Sequence, residues 1–253
     1  MNILDKITGP WQKQWSIVWF ICGAAALFWG YLHELNYFLP TEESINIGFE
    51  TFKLAVALIG MLCVLALAFR KNISGNGLGI TANIGEVIAQ GRSGATGLML
   101  TPLYNMFTHL YALRYWAKNE DGDGNMIPKQ ATGYVWLITI VFIAIALFLF
   151  PTINDHLQKY SFIEKDNDAA LSFAGFAITW YQINIVAFVI AVTAQTTMIL
   201  RYSFSWWLWI ASNFIWLAVN LANHNLIFAT QTIIYQINCI VGIYEWWKNS
   251  RNT

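Results

Sequence analysis

The sequence predicts an all-α integral membrane protein. Two parallel three-helix repeats are joined by a linker helix, three plus one plus three, with an extra helix at the N-terminus. Three observations predict this: the composition, a series of apolar runs of membrane length, and an internal repeat. Of 253 residues, 57% are hydrophobic and 11% charged, and mean hydropathy is +0.47. So few charges cannot clothe a soluble fold of this length, and lipid is the natural solvent for such a surface. Thirteen Trp argue against disorder, three Cys against a disulfide scaffold, and zero formal net charge against a nucleic-acid partner.

A membrane-spanning helix needs about 20 mostly apolar residues. Eight candidates follow in order: 15–32, 46–69, 78–91, 95–116, 133–151, 171–194, 203–221 and 225–247. The third is short and carries Asn83 and Glu86. The first runs into Tyr31-Leu32-His33-Glu34 with no small-residue cleavage site, so it reads as a retained helix and not a signal peptide. The expected units are an N-terminal helix and loop (1–45), a first repeat (46–116), a linker helix with flanking loops (117–170), and a second repeat with the C-terminal tail (171–253).

Lys and Arg collect in cytoplasmic loops. With eight spans and both termini inside, ten of the 14 basic residues fall inside, and Arg92, Lys159 and Lys165 fall outside. Lys53 lies within a span. Shifting the chain by 131 residues lays 46–116 on 177–247 without a gap, placing Arg70 on Arg201, Tyr104 on Tyr235 and Trp116 on Trp247. With one linker span between them, two three-span units face the same way, an arrangement known among transporters.

Three polar-aromatic stripes stand out at helical spacing. They are Trp206, Trp209, Asn213, Trp216 and Asn220; Gln231, Tyr235, Asn238, Gly242 and Glu245; and Trp180, Asn184, Phe188, Ala191 and Gln195. Amides in hydrocarbon need partners, which a neighbouring helix or a ligand can supply. Indoles stack on flat or cationic rings and amides pair with hydroxyls, so facing stripes suit a heteroaromatic base carrying a sugar. A phosphate calls for Arg or Lys, and the second repeat offers Arg201 alone, at its rim. Glu50, Lys53 and Glu86 read as structural or gating charges, with a proton relay as the alternative.

Other patterns carry no chemistry. Asp121-Gly122-Asp123-Gly124-Asn125 begins like a calcium loop, but Met126 and Thr132 occupy positions that need Gly and Glu. Asn72-Ile73-Ser74 matches a glycosylation acceptor in a loop expected inside. Cys22, Cys63 and Cys239 read as apolar packing residues, and the four His lack metal-ligand spacing, so neither a metal, a cofactor nor catalysis is expected.

The second repeat resembles the PnuC family of bacterial nicotinamide riboside transporters. The likeness rests on Gln195-x-x-Met198-x-x-Arg201, on Trp209-x-x-x-Asn213, and on Tyr235-Gln236-x-Asn238-x-x-x-Gly242-x-Tyr244-Glu245-Trp246. It implies a plan like full-length SWEET sugar transporters in the bacterial inner membrane, and a homotrimer. It also implies facilitated uptake of the unphosphorylated riboside, trapped by a cytosolic riboside kinase. Substrate contacts are then expected from Trp180, Asn184, Gln195, Trp209, Asn213, Trp216, Asn220, Tyr235, Gln236, Asn238 and Tyr244. Thiamine or riboflavin are the alternative cargoes, and a non-transporting scaffold or receptor is the other class.

Overall fold

The structure is a computed structural model, and it describes residues 14–37, 45–91, 96–157, 159, 170–173 and 176–250. Among these residues the chain forms eight α-helices and one β-hairpin. They are α1 (Gln14–Glu34), α2 (Ile47–Ala68), α3 (Asn72–Gln90), α4 (Thr96–Ala117), α5 (Gly133–Leu157), β1 (Ala170–Phe173), β2 (Phe176–Thr179), α6 (Trp180–Ile199), α7 (Ser205–Ala222) and α8 (Leu226–Asn249). Five of the eight, α1, α2, α5, α6 and α8, are long and apolar enough to cross a membrane. The chain is a multi-pass integral membrane protein. On α5, Leu137, Ile138, Ile140, Val141, Phe142, Ile145 and Phe148 are exposed, as a face towards lipid requires.

The sixth helix starts later than the expected residue 171. Ala170–Phe173 pairs antiparallel with Phe176–Thr179, and the helix begins after Thr179. The cause is a capping box: the Thr179 hydroxyl accepts from Gln182 N, and the Gln182 side chain accepts from Thr179 N. The third helix, weak on hydropathy, is 19 residues long and begins at Asn72. That start buries Asn72, whose amide donates to Leu113 O and Glu120 Oε1, so the glycosylation pattern there is sealed in the bundle. Asp121 likewise spends its carboxylate on the loop itself, accepting from the backbone amides of Asp123 and Asn125. Burial pushes that carboxyl up, but those bonds and Arg70 hold it below the usual value.

The two halves meet reciprocally: α2 packs on α8, and α4 packs on α6. Corners α2–α3 and α6–α7 are built alike. Arg70 (φ 63°) and Arg201 (φ 75°) both adopt the left-handed conformation that reverses the chain. Their guanidinium Nη1 atoms donate to adjacent loop carbonyls, Arg70 to Met126 O at 3.1 Å and Arg201 to Ile127 O at 2.9 Å. Met126 N and Lys129 N return bonds to Arg70 O and Arg201 O. The loop before α5 is thus stitched to both halves.

Just inside this end, Trp116 Nε1 donates to Ile199 O and Trp246 Nε1 to Leu67 O, and the two buried rings meet edge to face at 5.8 Å. The indole paired with Trp116 is therefore Trp246, while Trp247 is 66% exposed. Of the cysteines, Cys63 and Cys239 are buried as expected, and Cys22 is exposed.

At the opposite end lies a compact charge cluster. Glu34 on α1 and Glu50 on α2 both pair with Lys53, and Glu34 also accepts from Ile227 N at the start of α8, at 2.7 Å. A carboxylate at a helix N-terminus meets its free amides and its dipole. Glu34 thereby ties the extra N-terminal helix to the last helix.

Candidate functional site

Between the halves lies a cavity of about 140 Å³. Helix α7 forms one wall with Trp206, Trp209, Asn213, Trp216 and Asn220, as their spacing of three and four requires. Helix α3 faces it with Asn83, Glu86 and Gln90, again three and four apart. Helix α4 adds Thr101, Asn105 and His109, α6 adds Gln195, and α8 adds Gln231, Tyr235 and Asn238.

The wall is rich in side chains with unspent polar capacity. Trp206 Nε1 and Trp209 Nε1 are buried donors without a hydrogen-bond partner, and Asn105 Oδ1, Asn220 Oδ1 and Asn238 Oδ1 are buried acceptors without one. Buried polar atoms are nearly always satisfied, so these five are available to a ligand that enters the cavity. Asn238 still anchors itself by donating from Nδ2 to Val64 O at 2.8 Å. Asn213 Nδ2 donates to Gln236 Oε1 at 3.3 Å, and Gln236 Nε2 donates to Ile210 O at 3.0 Å.

A chain of side-chain bonds leaves the cavity from α6. Gln195 Nε2 reaches His109 Nε2 at 3.4 Å, and His109 Nδ1 lies 2.8 Å from Asn76 Oδ1. The bond to an amide oxygen requires the proton on Nδ1, which leaves Nε2 as the acceptor from Gln195. Asn76 Nδ2 then donates to Asn72 Oδ1, and Asn72 Nδ2 to Glu120 Oε1. The path joins the cavity to the loop held by both arginine corners.

Seven residues expected from the sequence line the cavity: Gln195, Trp209, Asn213, Trp216, Asn220, Tyr235 and Asn238. Four lie off it. Trp180 packs beside Leu98 and Trp216. Asn184 is buried against α4, where Gly97 leaves room: a Cβ there would stand 2.5 Å from Asn184 Oδ1. Gln236 sits behind Asn213, and Tyr244 is 56% exposed with Lys248 near its ring. Among the first-half contributors, Asn83, Glu86 and Gln90 on α3 and Thr101, Asn105 and His109 on α4 were not among the expected contacts. Thr101, Asn105 and His109 are polar residues spaced four apart on one face of α4, and that period was the available signal.

Gly60 on α2 sets the shape of the cavity. A Cβ there would lie 2.2 Å from the Tyr235 hydroxyl and 2.6 Å from Gln231 Nε2, which bond each other at 2.7 Å. Both are ends of flexible side chains and can swing into the open space. Gly60→Ala is expected to leave the melting temperature within a few degrees of the parent while weakening ligand binding by at least about tenfold, since a filled cavity excludes ligand. Unchanged affinity in calorimetry would remove these two residues from the site.

The nicotinamide mononucleotide transporter family model matches residues 50–248. The nicotinamide riboside transporter PnuC of Haemophilus influenzae is 26% identical over 256 aligned residues, covering all of this chain and 97% of that protein. A crystal structure of the vitamin B3 transporter PnuC superposes with a TM-score of 0.63 at 19% identity, covering 89% of this chain and 90% of that one. At that identity the match establishes the fold.

Proposed function

We infer that this chain, which belongs to the nicotinamide mononucleotide transporter family, carries nicotinamide riboside across a membrane. The family model's description and the relative's name differ on phosphate. The observation that carries the choice is the make-up of the cavity wall: indoles, amides and hydroxyls, with Glu86 and His109 but neither Lys nor Arg. Such a wall stacks a flat base and bonds a ribose, and offers no cation to a phosphate.

The plan behind this reading is the duplicated one, 46–116 and 171–253 around the linker at 117–170, with 1–45 added. The like-built arginine corners and the reciprocal packing of α2 with α8 and α4 with α6 support it. In this arrangement the arginine corners and the loop before α5 face the cytoplasm, as the Lys/Arg bias requires. Transport is passive, and phosphorylation in the cytosol traps the riboside by giving it charge. Trp209, Asn213, Trp216, Asn220, Tyr235 and Asn238 contact the substrate, and Gln236 orients Asn213.

A thermal-shift panel with purified protein tests the reading. Nicotinamide riboside should raise the melting temperature, and its mononucleotide, thiamine and riboflavin should raise it less. Stabilisation by thiamine or riboflavin above the riboside reassigns the cargo, and stabilisation by none removes the transporter reading.

A further inference from the structure

The cavity wall is acidic on one side and aromatic on the other. Its first-half face presents Glu86, set between Asn83 and Gln90 on α3, and its second-half face presents three indoles on α7. Gln231, which donates to Ala57 O and the Tyr235 hydroxyl, lines the cavity with Glu86. Among the described residues, no ion pair includes Glu86 and neither Lys nor Arg lines the cavity. A carboxylate in such a place has no counter-ion among the described residues, and a lone buried charge is costly unless something of opposite sign joins it.

The riboside itself supplies that charge. Its pyridinium ring carries a permanent positive charge on the ring nitrogen, and indoles attract such a ring through their faces. We propose that Glu86 is the counter-ion for the positive ring of the substrate, and that it makes the cavity selective for cationic over neutral nucleosides. This rests on the reading of the cavity as the riboside site. The division of labour follows from the two halves: α7 holds the faces of the base, amides hold the sugar, and α3 supplies the negative charge. In the 131-residue register Leu217 stands where α3 has Glu86, so the charge is supplied from one side.

The test compares nicotinamide riboside with its reduced dihydro form, which has the same sugar and amide on an uncharged ring. Calorimetry on the parent protein, Glu86→Gln and Glu86→Asp separates the roles. The parent should favour the cationic ligand by on the order of tenfold or more, as expected for one charge pair in a partly screened site. Glu86→Gln keeps the volume and the polarity, and should lose most of that preference by weakening the cationic ligand alone. Glu86→Asp keeps the charge and should retain a preference. A parent that binds both forms equally overturns the proposal even if Glu86→Gln fails to fold, as does a Glu86→Gln protein whose preference equals the parent's. Binding of neither form by the parent overturns the riboside site itself, and this inference with it.

Discussion

Nicotinamide riboside is expected to bind this protein at least about a hundredfold more tightly than its mononucleotide, a difference of about 2.7 kcal/mol. The phosphate brings about −1.5 to −2 charges. The residues that line the cavity include neither Lys nor Arg, and Glu86 adds charge of the same sign as the phosphate. Arg201 is committed elsewhere, gripping Ile127 O and lying 5.3 Å from the Tyr115 ring. An ion moved from water to a site without a partner loses several kcal/mol of hydration, more than one ribose hydroxyl bond recovers. Titration of both ligands at fixed ionic strength measures the ratio. Equal affinities would mean that a cation reaches the cavity on binding, and the passive trapping scheme would fall with the discrimination.

Removing Lys53 is expected to cause the largest loss of stability. Its ammonium pairs with Glu34 and Glu50, and the three side chains are 10%, 6% and 14% exposed. Lys53→Met leaves two nearby carboxylates without their cation, and breaking a buried pair this way costs about 3–5 kcal/mol. The damage should spread, because Glu34 also holds the first turn of α8. A combined Glu34→Gln, Glu50→Gln, Lys53→Met protein should recover most of the loss, since neutral groups need no counter-ion. Thermal unfolding in detergent reads both. A Lys53→Met protein as stable as the parent would show that water already solvates the cluster.

The eight helices were legible as mostly apolar runs, and five of them are long and apolar enough to cross a membrane. Even α3, with Asn83 and Glu86, was found, although it starts at Asn72 and not at 78. The start of α6 was misplaced because Leu171–Thr179 is apolar in either conformation, and Thr179 with Gln182 decides it. Within the site, the α7 stripe was readable because its interleaved rings and amides share one face. Tyr244 lies off the cavity because it follows Tyr235 by nine residues, which is roughly half a turn round the helix at 3.6 residues per turn. Asn184 shares a face with Gln195 but lies about 16 Å along the axis, where α4 closes over it. Glu86 was legible as a charge in a span; that it faces the indoles depends on how the bundle sets α3 across the cavity from α7, which no single helix reveals.

A passive riboside carrier exchanges its substrate with neither an ion gradient nor ATP. Counterflow measures this most directly. Purified protein in proteoliposomes preloaded with unlabelled nicotinamide riboside, with identical salt and pH on both sides, is given labelled riboside outside. The account predicts a transient accumulation of label that the mononucleotide does not compete away and that Gly60→Ala abolishes. Absence of counterflow from folded protein, or accumulation that appears only with a proton or sodium gradient, would contradict it and would make Glu86 or Glu50 a coupling residue.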